Sequence, residues 1–299
     1  MAQPALKRTA LPAEPQLQSF ARAAAQLLVE RQAHASGARA VSRRPGTGLQ
    51  HLDHRDYTPG DEVRHIDWRL TARRRRTIVR RFEAESVADW TVLLDASSSM
   101  ALRAGAKWNA AAQVAAAMSY ALLHLGHRVG LLVFGARVLA ECPRGRGQHH
   151  YAALARVLAA LQPAPQGEGS ELGVCARHLR GAASVFAISD FLAADEMRSD
   201  LAALRQRCAT LHALQVSSGE ETALRLAGEL DLVDVENGAS LHTPGGERAA
   251  ALALAERRAM TARLRGFCAR SGVAFTDWDI ARPWQHTLLA HLVQARSNC

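Results

Sequence analysis

The pattern of apolar and polar positions changes character near Trp90. Before it, apolar residues recur at helical spacing only once, at Leu17, Phe20, Ala24, Leu27 and Leu28, which predicts a helix over residues 15–36. Gly37 to Gly48, with Arg43, Arg44 and Pro45, reads as a loop. Gln50 to Leu70 is polar and irregular around a Pro59-Gly60 turn, and a strand-type run covers Thr77 to Phe82.

From Trp90 onward short apolar runs alternate with helical patterns. Strands are predicted over 90–94, 129–134, 137–140, 184–188, 210–216 and 273–276, and β-hairpin material over 224–242 with its turn at Asn237-Gly238. Helices are predicted over 107–125, 151–161, 171–180, 195–208, 247–270 and 284–293. Only Gly135-Ala136 separates the second and third strands, which demands a tight antiparallel hairpin. The remaining strands are joined by helical crossovers. The predicted fold class is therefore α/β, a mostly parallel sheet with one antiparallel edge strand and helices on both faces. The change at Trp90 divides the chain into an N-terminal segment, 1–87, and a main domain, 88–299.

Composition narrows the setting. At 48% hydrophobic and 22% charged residues the chain is ordinary globular material, which excludes wholesale disorder. Its 37 basic and 28 acidic residues give a net charge of +9, and the basic side chains are almost all Arg, with Lys only at 7 and 107. The five Cys are widely spread and form no C-x-x-C pair, so neither a disulfide framework nor a zinc knuckle is indicated. The first twenty residues lack the apolar core of a signal peptide. The longest apolar run, Ala110 to Leu125, is interrupted by Gln113, Ser119 and His124 and reads as a buried helix. A cytoplasmic protein without membrane insertion is expected.

The first chemical constellation follows the strand at 90–94. Asp95-Ala-Ser97-Ser-Ser99 places a carboxylate and alternating hydroxyls at the carboxyl end of a buried strand, where open α/β sheets bind ligands. Hard oxygen donors of this kind suit Mg²⁺, Mn²⁺ or Ca²⁺. Locally, an Asp-capped turn with self-bonded serines explains the same residues equally well. Two distant features favour the metal. Ser170 supplies a hydroxyl just before a predicted helix, and Asp190 ends a second parallel strand on the same rim. Asp95-x-Ser97-x-Ser99, the Ser170 loop and Asp190 together resemble the metal-ion-dependent adhesion site of von Willebrand factor A domains, across roughly residues 88–295. That resemblance implies a Rossmann-like fold and a Mg²⁺ site open to a partner's carboxylate. Ser170 stands where that family usually has Thr.

The second constellation is Arg55-x-Tyr57-x-Pro59-Gly60-Asp61-x-x-Arg64-x-Ile66-Asp67-Trp68, then Ala72-Arg73. Close-set opposite charges, Arg64 with Asp67 or Arg55 with Asp61, could pair across the turn, and the spacing of Tyr57, Ile66 and Trp68 predicts a docked segment. The pattern is similar to the signature of the bacterial domain-of-unknown-function 58 family, in which it precedes a von Willebrand A-like domain. The resemblance implies a partner AAA+ ATPase of the MoxR type and chaperone-like work on protein clients. Arg55, Tyr57, Asp61, Arg64, Asp67, Trp68 and Arg73 are then partner-binding or structural signature residues.

Other functions are less well supported by the residues. The chain has no G-x-x-x-x-G-K-[ST], so any nucleotide belongs to a partner, and no H-E-x-x-H or G-x-S-x-G. A metal-dependent phosphoester hydrolase would need a general base, for which Glu171 is the nearest candidate. Arg73 to Arg76 could contact phosphates, but aromatics for base stacking are nearly absent, so an acidic protein surface is the better-supported target. His149-His150 reads as a surface pair. The expected activity is non-enzymatic, metal-dependent protein binding. Nothing in the sequence sets the oligomeric state.

Overall fold

The computed structural model describes residues 9–35, 51–58, 61, 63–74, 76–82, 87–163, 166–179, 181, 183–192, 194–219 and 228–297. The predicted loop at 37–48 and the Pro59-Gly60 turn lie outside them, as do the side chains of Arg55 and Arg64. The chain forms two compact units, Met1–Val29 with Ala88–Cys299, and Glu30–Val87.

The larger unit is built on a six-stranded sheet. Its strands in chain order are β3 (Asp89–Asp95), β4 (Arg128–Phe134), β5 (Val138–Gly145), β6 (Ser184–Ser189), β7 (Leu211–Ser217) and β10 (Val273–Asp279). The spatial order is β10-β7-β6-β3-β4-β5, with every pairing parallel except the antiparallel edge β4·β5. A separate antiparallel hairpin, β8 (Glu229–Val233) with β9 (Ser240–Pro244), joins β7 to the helix before β10.

The parallel strands are continuous apolar runs because both sheet faces are covered. Alternate side chains feed two separate cores. Val92, Leu94, Leu131, Val133, Phe186 and Ile188 point into one, and Leu93, Leu132, Phe134, Val185 and Ala187 into the other. The first core is closed by helices α3 (Ser98–His124), α4 (Gly147–Ala160) and α7 (Trp284–Ser297). The second is closed by α5 (Ala194–Arg207), α6 (Glu247–Arg270) and a 3₁₀ turn at Leu172–Arg177. Helix α1 (Glu14–Ala35) adds Leu17, Phe20, Ala21 and Ala24 to the first core, with the Phe20 ring edge-on to Trp284 at 5.3 Å. Its first half therefore packs with the main body, because that half carries the apolar stripe.

Several boundaries differ from the sequence reading. Helix α3 begins at Ser98 rather than Lys107; Ala104 (φ 57°) and Gly105 (φ 74°) interrupt its regular winding and obscure its first turns in the pattern. The helix expected over 171–180 is a 3₁₀ turn over 172–177. There the Gly173 N–H donates to Asp200 Oδ2 at 2.7 Å, and a Cβ at Gly173 would meet Asp200 Oδ1 at 2.6 Å. The cysteines Cys142, Cys175, Cys208 and Cys268 are free thiols. Among the described residues, no helix is long and apolar enough to cross a membrane.

In the smaller unit the stretch read as irregular holds a strand, β1 (His51–Asp56), paired antiparallel with β2 (Ile78–Phe82). Its sequence, His-Leu-Asp-His-Arg-Asp, lacks apolar alternation, so only backbone pairing reveals it. A short helix α2 (Trp68–Arg74) follows Asp67, whose Oδ1 accepts from the N–H groups of Arg69 and Leu70 at 3.1 Å each.

Candidate functional site

Parallel order places the carboxyl ends of β3 and β6 side by side, with Leu94 opposite Ile188 in register. Asp95, fully buried, therefore emerges beside Ser189 and Asp190. Its Oδ1 accepts from the Ser97 N–H at 2.8 Å. Its Oδ2 accepts from the hydroxyls of Ser170 and Ser189, both at 2.6 Å. Ser97 occupies the N-cap position of α3 but makes no capping bond; its hydroxyl lies 3.1 Å from that of Ser99. The self-bonded turn thus accounts for Asp95 and the Ser97 backbone, and leaves the Ser97 and Ser99 hydroxyls facing each other.

The loop carrying Ser170 is clamped to the start of α3. Ser98 N–H donates to Glu168 O at 2.9 Å, and Glu168 N–H donates back to Ser98 Oγ at 3.0 Å. Glu171 N–H donates to Gly135 O at 3.0 Å, tying the same loop to the β4–β5 turn. Asp95, Ser97, Ser99, Ser170 and Asp190 are in this way gathered on one rim.

Four further side chains complete the rim, and none was singled out for it by the sequence. Lys107 from α3 donates from Nζ to Asp190 Oδ2 at 2.6 Å, with side-chain exposures of 2% and 1% for the two partners. The available signal was a Lys inside an apolar helix in a chain whose basic residues, Lys7 apart, are otherwise Arg. Ser189 holds Asp95 and also accepts from the Phe191 N–H at 3.0 Å, which fixes Phe191 at φ 50°. Positive φ in a buried aromatic residue is uncommon and tends to mark a functional corner of the backbone. Gln215 donates to Asp190 O at 3.0 Å, while its Oε1 is buried with no hydrogen-bond partner among the described residues. Glu236, from the β8–β9 turn, lies beside the Ser99 side chain.

The electrostatics follow from burial. Asp95 is pushed up to about 6 from 3.8, first by burial and then by the neighbouring Asp190 charge; the Ser170, Ser189 and Ser97 bonds oppose the shift. Glu236 is pushed up to about 7 by burial, against the Ser99 side chain beside it, with Asp190, Asp95 and Asp234 adding repulsion. Within this group three carboxylates face one ammonium, so a divalent cation would bring the sum of these charges to zero. Two cis ligands of an octahedral Mg²⁺ at about 2.0–2.1 Å lie about 3 Å apart. The 3.1 Å Ser97–Ser99 separation matches that edge as well as a hydrogen bond. Among the described residues no group of three or more His, Cys, Asp or Glu side chains is arranged to hold a metal ion, so a cation here would rely on hydroxyl oxygens.

The signature residues lie in the smaller unit. Asp67 is buried, with Oδ2 3.3 Å from His54 Nε2 in addition to its capping bonds. Asp61 Oδ2 accepts from Thr58 N–H at 2.9 Å and Oγ1 at 3.3 Å. The segment docks on β2 through an Ile66–Val79 bridge and the Asp67 N–H to Ile78 O at 2.8 Å, whereas its aromatics Tyr57 and Trp68 are 37% and 64% exposed and α2 buries none of its described side chains. Arg73, Arg74 and Arg76 are exposed, and Arg76 lies 3.6 Å from Asp56. His150 is no loose surface residue, for its Nε2 contacts Val129 O at 2.7 Å. Glu171, the candidate general base, is exposed and offers its backbone N–H to the clamp.

Residues 53–261 match the family model described as "Protein of unknown function DUF58". Uncharacterised proteins of Mycobacterium bovis and of two Mycobacterium tuberculosis strains are each 30% identical over 202 residues, 65% of this chain and 63% of theirs. The chain thus spans less than two thirds of the curated relatives it matches. Among solved structures, a conserved hypothetical protein, BatB, from Bacteroides thetaiotaomicron aligns with 70% of this chain and 99% of its own. The TM-score is 0.40 at 12% identity, a similarity too low to assign a fold.

Proposed function

The chain belongs to the DUF58 family, and we propose that it is a non-enzymatic, divalent-metal-dependent protein-binding module with a von Willebrand A-like domain. The observation that carries this reading is the convergence of the Asp95, Ser97, Ser99 and Ser170 oxygens at one sheet rim, beside Asp190 and with surplus negative charge.

Ser97, Ser99 and Ser170 would hold the cation by their hydroxyl oxygens, with Asp95 and Asp190 supplying charge. Mg²⁺ bound there supplies an electrophilic position for a carboxylate oxygen. The surrounding residues hold this donor set in place. Ser189 orients Asp95, Lys107 fixes Asp190, and the Glu168–Ser98 clamp keeps Ser170 in reach. The partner offers an Asp or Glu side chain. From the resemblance of its signature and rim, the module works with a MoxR-type AAA+ ATPase in chaperone-like assembly of client proteins.

The test combines Mn²⁺ titration calorimetry with capture from a bacterial lysate in Mg²⁺ or EDTA. Asp95→Ala, with its circular dichroism spectrum unchanged, should lose both metal binding and Mg²⁺-dependent capture. Capture that survives the substitution, or that EDTA leaves intact, overturns the mechanism.

A further inference from the structure

The β8–β9 hairpin stands outside the main sheet, and Leu232, Val233 and Leu241 on it are exposed. Its turn is nevertheless fixed. Asp234 Oδ1 accepts from Glu236 N–H at 2.8 Å, and Gly238 N–H donates to Asp234 O at 2.9 Å. Val235 O accepts from Gly167 N–H at 2.9 Å, which anchors the turn to the loop that carries Ser170.

A glutamate in a surface turn ordinarily extends into water. Glu236 instead is half-buried and turned toward the Ser170 loop: a Cβ at Gly169 would lie 4.0 Å from its Oε2. It lies within electrostatic reach of Asp95 and Asp190, a repulsion that a proton or a shared cation relieves. The Ser99 side chain beside it is one of the hydroxyls assigned to the cation, and Gly169 directly precedes another, Ser170.

Resting on the metal-site reading above, we infer that Glu236 is an internal ligand of the rim: the hairpin's own carboxylate takes the position that a partner's Asp or Glu would occupy. A partner therefore competes with Glu236, and the hairpin sets the threshold for binding. Residues that hold the cation (Ser97, Ser99 and Ser170, with Asp95 and Asp190 supplying charge) are distinct from the one that closes it (Glu236), so the two roles separate by mutation.

The experiment uses the full chain stripped of metal, with Mn²⁺ as the metal probe and acetate as the carboxylate probe. Mn²⁺ affinity is measured by calorimetry and by Mn²⁺ electron paramagnetic resonance. Glu236→Gln and Glu236→Ala should weaken Mn²⁺ binding by about tenfold or more, as loss of one charged ligand does. Millimolar acetate should restore affinity in Glu236→Ala and leave the wild type unchanged, because its position is already filled. Wild-type affinity in both Glu236 variants, or weakening in Glu236→Ala that acetate fails to reverse, overturns the inference. If Asp95→Asn abolishes Mn²⁺ binding in the same series, the metal-site reading survives that failure. A wild-type chain that binds no Mn²⁺ overturns both.

Discussion

Replacing Lys107 by Met tests whether the rim is held by its buried ion pair. The Lys107–Asp190 contact is 2.6 Å long, and both side chains are almost completely removed from water. Met keeps most of the Lys stem, so little cavity is created and the change is mainly electrostatic. Asp190 would then be left buried beside Asp95 and Glu236, whose charges already disfavour one another. Removing one member of a buried pair typically costs about 3–5 kcal/mol, since the other charge stays without compensation. For a domain of this size each kcal/mol moves the Tm by about 2–4 °C, so the expected fall is about 6–20 °C. Urea unfolding followed by the fluorescence of buried Trp90 and Trp108 would measure it, with thermal circular dichroism as a second probe. Lys107→Met/Asp190→Leu should recover at least half of the loss, because the orphaned charge is removed as well. A loss below about 1 kcal/mol, or a double variant no more stable than the single one, would refute the reasoning.

Two other outcomes follow from the same structure. Burial and the Asp190 charge push the folded-state Asp95 carboxyl up to about 6 from the ordinary 3.8. Between those values the folded state holds a proton that the unfolded chain has released. Its contribution is complete below about pH 4 and is lost as pH rises to 6, by up to about 3 kcal/mol. Glu236 acts in the same direction between 4.5 and about 7. In EDTA, the urea midpoint of the wild type should therefore fall relative to that of Asp95→Asn as pH rises from 4 to 6; parallel curves would refute the assignment. Phe20→Ala removes the ring packed on Trp284 and should cost about 3–5 kcal/mol, whereas exposed Trp68→Ala should stay within about 0.5 kcal/mol. Equal effects in urea unfolding would show that α1 does not contribute to the core as described.

Local order was legible where periodicity carried it. The strands are apolar because both sheet faces are covered, so Trp90–Leu94, Val129–Phe134 and Ser184–Ile188 stood out, as did the helix at Glu247–Arg270. β1 was hidden because a polar ribbon strand is specified by backbone pairing with β2 and not by an apolar face. The signature aromatics misled for a related reason: regular spacing shows which residues share a face, but not whether anything covers it.

The sequence by itself determined the alternating architecture, the antiparallel edge, and the Asp95-Ala-Ser97-Ser-Ser99 turn at a strand end. These depend on neighbours within one or two residues, such as the Ser97 N–H on Asp95. Tertiary structure decided the rest of the rim. Ser170 reaches Asp95 across 75 positions, Lys107 reaches Asp190 across 83, and Ser189 reaches Asp95 across 94. Those meetings follow from strand order and register, which bring the ends of β3 and β6 together while helix α3 crosses over them. Glu236 is the extreme case, a turn residue with no periodic or motif signal, placed at Ser99 only because its hairpin is anchored to the Ser170 loop through Val235 and Gly167.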